Sequence, residues 1–153
     1  MTHHLHRELW APQPIAEVFA FFSRAENLER ITPSWLRFRM LTAGPVEMRA
    51  GTLLDYTLRI HGLPVRWRTR IESWAPPHSF VDVQERGPYR LWRHTHRFRE
   101  ERGGTTMTDD VEYALPLGIL GAIANRLVVA RDVKSIFDYR EEQIRGLLPG
   151  RRA

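Results

Sequence analysis

The densest chemistry in the chain lies in one short run, Trp92-Arg93-His94-Thr95-His96-Arg97-Phe98. Side chains alternate between the two faces of a β-strand. Read as a strand, the run puts Trp92, His94, His96 and Phe98 on one side, with Arg93, Thr95, Arg97 and Arg99 on the other. Arginines belong in water, so the inward wall carries two imidazoles among aromatic rings. A buried imidazole without a partner costs about 1–3 kcal/mol, so partners are expected close by. The next segment offers them, because alternation gives Met107, Asp109, Val111, Tyr113 and Leu115 a common face. A turn centred on Gly103-Gly104 sets Asp109 opposite Phe98 and diagonal to His96, with Tyr113 opposite His94. This register predicts a His96–Asp109 hydrogen bond and a His94–Tyr113 contact, and the carboxylate is expected to raise the His96 pKa.

Four chemistries fit these residue types. The cluster serves as a satisfied structural network, or as a polar anchor that orients a ligand carbonyl, hydroxyl or carboxylate. As a general acid/base, His96 tuned by Asp109 supplies the candidate catalytic pair, as a cyclase or dehydratase needs. A metal site is the fourth, since His-x-His on one strand brings two imidazoles to one ion. No third ligand at suitable spacing is evident and Asp109 alone leaves the set incomplete, so no metal is expected. No cofactor is expected either. The chain has no GxGxxG loop, no GxxxxGK phosphate loop, no GxSxG elbow and no HExxH.

Large aromatics recur on the same predicted inner faces. The residues expected to line a ligand pocket are Tyr56, Leu58, Trp67, Trp92, His94, His96, Phe98, Asp109, Tyr113 and Phe137. A dry core rarely gathers so many polar tips, which favours a cavity over solid packing. His3, His4 and His6 read as exposed or strand-edge residues. Arg140, one turn beyond Phe137, is within reach of a ligand carboxylate at the cavity mouth, but a surface ion pair with Glu141 or Glu142 is the plainer expectation.

These residues need elements to hold them. The first apolar alternation, about 4–10, ends at Ala11-Pro12. Ile15, Val18, Phe19 and Phe22 then fall at helical spacing, and a second short helix covers about 25–31. Period-two segments follow at about 36–42, 51–60, 65–74, 79–85, 89–101 and 105–115, separated by Gly and Pro turns. From about 117 to 148 the pattern is helical, with Leu120, Ile123, Leu127, Val133, Ile136, Phe137, Ile144, Leu147 and Leu148 in a drifting stripe. Such a helix spans roughly 45 Å and needs a large partner surface, which only the concave face of the sheet provides. The prediction is an α+β helix-grip architecture: a curved antiparallel sheet of about seven strands around a long C-terminal helix, two short helices after strand one, and a cavity between sheet and helix.

Composition bounds the rest. At 153 residues the chain is expected to form one domain over 1–148, with 149–153 a flexible tail. It has no cysteine, which removes thiolate chemistry and disulfides. The formal charge is +5, almost all from arginine, since Lys134 is the only lysine. Arg66, Arg68 and Arg70 alternate on one strand face, which reads as a solvated outer surface rather than a nucleic-acid site. No secretory-type leader and no membrane-spanning stretch is seen, so a cytoplasmic protein without stable membrane insertion is expected.

Three segments resemble the START-like, or SRPBCC, superfamily, which includes polyketide cyclase/dehydrase-like proteins. They are Ala11-Pro12 through Phe22 to Ile31-Thr32-Pro33; Gly87-Pro88-Tyr89 through Phe98; and Gly103-Gly104-Thr105 through Leu115-Pro116-Leu117-Gly118, with Ile136 to Arg140. The resemblance spans nearly the whole chain, to a bacterial ligand-binding-type subgroup. It implies a hydrophobic cavity under the long helix that takes a small hydrophobic or amphipathic molecule, as a carrier or sensor. It also leaves room for a cyclase/aromatase- or dehydratase-like enzyme, since this fold hosts several activities.

Overall fold

The computed structural model describes residues 1–148, so the expected tail at 149–153 lies outside it. Seven strands form one antiparallel sheet: β1 (His3–Ala11), β2 (Arg39–Met40), β3 (Leu53–Ile60), β4 (Leu63–Ala75), β5 (Ser79–Arg86), β6 (Leu91–Glu101) and β7 (Gly104–Ala114). Their order is β1-β7-β6-β5-β4-β3-β2, so the first strand closes against the last. Between β1 and β2 lie α1 (Ile15–Phe22), α2 (Asn27–Arg30) and a 3-10 turn at Ser34–Leu36. After β7 come α3 (Gly118–Ala124), a π-helical stretch at Asn125–Val129 and α4 (Ala130–Leu147). This is the predicted helix-grip fold.

Local sequence accounts for the hairpins. His61 and Gly62 join β3 to β4, and Arg102 and Gly103 join β6 to β7. All four residues have positive φ, between 49° and 80°. A two-residue loop of this kind matches the right-handed twist of the strands it joins, and glycine enters it without a Cβ penalty. The strand β4 carries register shifts between Arg68 and Thr69 and between Ile71 and Ser73. Bulges of this kind bend a strand and help a sheet curl around a helix.

The β6–β7 turn corrects the predicted register. Glu101 faces Gly104, not a residue further on, so the whole ladder moves by two. His96 then lies directly opposite Asp109, His94 opposite Val111, and Trp92 opposite Tyr113. The predicted His94–Tyr113 pair is therefore not formed. Tyr113 instead donates its hydroxyl hydrogen bond to Asn125 at 2.9 Å.

The long helix is gripped over only part of its length. Val133, Phe137, Arg140 and Ile144 are buried, at spacings of three and four that keep them on one face. Leu120, Ile123 and Leu127, predicted to join the same stripe, are 66%, 51% and 69% exposed. In the segment before α4 only Gly121 and Asn125 are buried. A Cβ at Gly121 would lie 2.3 Å from the Pro116 carbonyl oxygen, so this turn can sit tight against the chain leaving β7 only as glycine. The π-helical turn at 125–129 shifts the helix face, which breaks the stripe drawn through 120–148.

At one end the core is dry. Leu9, Val18, Phe19, Phe80, Phe98, Met107 and Ile144 pack together there, with Phe19 edge-on to Phe98 at 5.3 Å. Towards the other end the sheet and helix diverge around a hollow.

Candidate functional site

The hollow is a cavity of about 780 Å³ between the concave sheet face, the two short helices and the helix after β7. Tyr56, Leu58, Trp67, Trp92, His94, His96 and Phe137 all line it, as the sequence predicts. Strand pleating explains why: Leu54, Tyr56 and Leu58 share the inner face of β3, while Trp67 pairs with Tyr56 across β4. Tyr56 and Trp67 stack with ring centroids 6.0 Å apart, and Trp67 meets Trp92 edge-on at 5.5 Å. The Tyr56 hydroxyl shares a 3.0 Å hydrogen bond with Thr69, and burial pushes its pKa upward. Three other predicted residues sit elsewhere. Phe98 belongs to the dry core, Tyr113 packs beside His3 and Asn125, and Asp109 stands behind the histidines.

One wall carries a buried polar cluster. His94 and His96 are 6% and 5% exposed, and their ring centroids lie 3.7 Å apart. Asp109 is hydrogen-bonded to His94 Nε2 at 2.7 Å and lies 3.2 Å from His96 Nδ1. The predicted His96–Asp109 contact is present, but His94 has the shorter bond. His96 also donates from Nε2 to Asp82 at 2.6 Å. Phe80 stacks on His96 at 4.0 Å, and Phe137 meets His94 edge-on at 5.4 Å. These rings fix the imidazole planes.

Two members were missed or misplaced from sequence. Asp82 lies on β5, directly opposite His94. Alternation along β5 sets it on the inner face with Phe80, yet an acidic residue on one strand gives no hint of where the histidines of the neighbouring strand lie. Arg140 is not paired with Glu141 or Glu142 at the surface. It is 8% exposed, and its guanidinium reaches Asp109 at 3.4 Å while lying over the Phe22 and Phe137 rings. The helical spacing Val133–Phe137–Arg140–Ile144 was the signal that could have placed it inside.

The cluster's electrostatics follow from this geometry. Burial opposes the ionised form of Asp109, but Arg140 and both histidines outweigh it and hold the carboxyl well below its usual range. Asp82 is lowered too: burial opposes this, and the His96 bond together with the neighbouring cations prevails. Burial likewise opposes the charged form of His96, yet two carboxylate bonds raise its pKa, as expected of a ring between acids. His94 is shifted down, by burial first and then by the adjacent His96 charge. Both nitrogens of His96 face carboxylates, Asp109 from Nδ1 and Asp82 from Nε2.

Elsewhere several arginines of the outer sheet face are paired. Arg68 makes a two-pronged bond to Asp55 at 2.9 and 3.1 Å, and Arg93 reaches Glu72 at 2.8 Å. Among the described residues no helix is long and apolar enough to cross a membrane.

A seven-stranded antiparallel sheet closed around a C-terminal helix, with a cavity between them, defines the helix-grip, START-like class. Residues 11–137 match the family described as polyketide cyclase/dehydrase and lipid transport, and the chain belongs to that family. No curated protein matches it. Similar solved structures include protein Ms6760 from Mycobacterium smegmatis, 19% identical with a TM-score of 0.70, covering 95% of this chain and 90% of that one. Ginseng major latex-like protein 151 from Panax ginseng is 10% identical, with a TM-score of 0.69, over 97% and 98% of the two chains. The nucleoside-diphosphate sugar epimerase from Corynebacterium glutamicum is 23% identical, with a TM-score of 0.66, over 92% of this chain and 28% of that one. At these identities the likeness is one of fold.

Proposed function

We propose that the chain binds a small hydrophobic or amphipathic molecule in this cavity, as a carrier or sensor. The apolar body lies against Tyr56, Leu58, Trp67, Trp92 and Phe137, and the polar end meets His94, His96 and Arg140. The volume is in the range of small-molecule sites, roughly 300–1,000 Å³. One observation carries the reading: Trp67 Nε1 and Arg140 Nε are buried donors with no hydrogen-bond partner among the described residues, and both residues line the cavity. A buried donor left unpaired costs about 1–3 kcal/mol, so a ligand acceptor that reaches either nitrogen offsets up to that cost. The family's association with lipid transport points the same way.

The test is a titration with 1-anilinonaphthalene-8-sulfonate, which combines fused aromatic rings with one anionic group. The expected result is a single saturable site, lost in a folded Ile136→Trp variant whose side chain fills the cavity. Absence of saturable binding, or equal binding by that variant, overturns the proposal.

A further inference from the structure

The geometry points to a divalent transition-metal site in the cavity wall, formed by Asp82, His94 and His96, with Asp109 orienting both rings. One potential ligand atom from each of the three residues lies within 4.8 Å of the other two. The assignment of nitrogens is what distinguishes this from an ordinary ion-pair cluster. Each histidine spends one nitrogen on Asp109: Nε2 of His94 at 2.7 Å and Nδ1 of His96 at 3.2 Å. The remaining nitrogens, Nδ1 of His94 and Nε2 of His96, both face the same oxygen, Asp82 Oδ2, at 3.8 and 2.6 Å. A metal-bound imidazole commonly donates its far N–H to a carboxylate, which fixes the tautomer and raises the basicity of the bound nitrogen. Here one carboxylate does that for two rings.

Spacing and charge agree. Ligand bonds near 2.1 Å in a tetrahedral set put ligand atoms roughly 3.4 Å apart. The His94–Asp82 separation of 3.8 Å is close to that, and the His96–Asp82 pair must open from 2.6 Å by less than an ångström's-order side-chain adjustment, about 0.8 Å. At present a proton sits between His96 Nε2 and Asp82, and a metal ion would take its place. Once that proton has left to solvent both rings are neutral, and two carboxylates then face a single cation, Arg140, which leaves one negative charge for a divalent ion to meet. Asp82, His94 and His96 all line the cavity, so an ion has an approach from the hollow. Two imidazoles with one carboxylate suit Zn²⁺, Fe²⁺, Co²⁺ or Ni²⁺ rather than Mg²⁺ or Ca²⁺. This site stands independently of any organic ligand.

The probe is Co²⁺ added to the untagged full chain, followed by its visible absorption and by calorimetry. The expected result is one ion per chain. Asp82→Asn should abolish binding, and Asp109→Asn should weaken it by about 10–100-fold. A His4→Ala/His6→Ala variant should bind as the parent does, since those side chains are exposed on the edge strand β1 and do not line the cavity. If the Asp82 variant fails to fold, paramagnetic broadening of NMR signals in the parent decides: His94, His96 and Asp82 must broaden first. No 1:1 binding, undiminished binding by Asp82→Asn, or broadening centred on His4 and His6 each overturns the site.

Discussion

His61, at the tip of the β3–β4 hairpin, is tied to Asp132 of α4 by a 2.6 Å bond, and both residues line the cavity. The hairpin tip and the helix are thus latched where the hollow meets solvent. His61 is largely exposed, so the pair adds little stability, less than about 1 kcal/mol. Its expected effect is kinetic. Asp132→Ala should leave the melting temperature nearly unchanged while speeding dissociation of a bound fluorophore, measured by stopped-flow displacement. An unchanged off-rate would show that ligand leaves by another route.

Arg140 discriminates among ligand head groups if it anchors the polar end. An Arg140→Met variant keeps an unbranched apolar stem but removes the guanidinium that lies over Phe22 and Phe137, and with it the cation. Its affinity for an acid-headed amphipath should fall by about tenfold or more relative to the alcohol of the same chain length, since a charge-assisted hydrogen bond contributes roughly 1.5–3 kcal/mol. The variant should also be destabilised, because Asp109 loses its nearby cation. Equal losses for acid and alcohol would place the head group elsewhere.

The two halves of the C-terminal helix should respond differently to truncation. Phe137→Ala removes a ring that is 5% exposed and should cost about 3–5 kcal/mol in denaturant unfolding. Leu120→Ala and Leu127→Ala remove side chains 66% and 69% exposed and should change stability by no more than about 0.5 kcal/mol. Similar costs at all three positions would mean the first half is packed on something in solution.

Asn125 fastens that first half to the sheet. It accepts from Tyr113 Oη at 2.9 Å and donates to His3 at 3.1 Å, from within the π-helical turn. Asn125→Leu should leave two partners unsatisfied at a cost of about 1–3 kcal/mol. Hydrogen exchange should accelerate through 118–129 while α4 stays protected. Uniform acceleration across both helices would show that they open as one unit.

Much of this molecule is written in local pattern. Alternation put Tyr56, Trp67, Trp92, His94 and His96 on inner faces, and the Gly and Pro turns separated the strands closely to where they end. Helical spacing marked α1 and the gripped half of α4. These properties depend only on near neighbours in the chain, because side-chain direction repeats every two residues in a strand and every 3.6 in a helix.

What tertiary structure decided is which distant groups meet. A β6–β7 turn centred on Arg102-Gly103 rather than Gly103-Gly104 moved Asp109 into line with His96 and Tyr113 away from His94. Pairing of β5 with β6 set Asp82 opposite His94, and docking of α4 brought Arg140 to Asp109 from the far end of the sequence. The π-helical turn left Leu120, Ile123 and Leu127 in solvent. Periodicity tells a side chain which way to face but carries no register, and a shift of two residues preserves every face while changing every partner. The polar cluster is set by register and docking, which is why its residue types were legible in the sequence and its full membership was not.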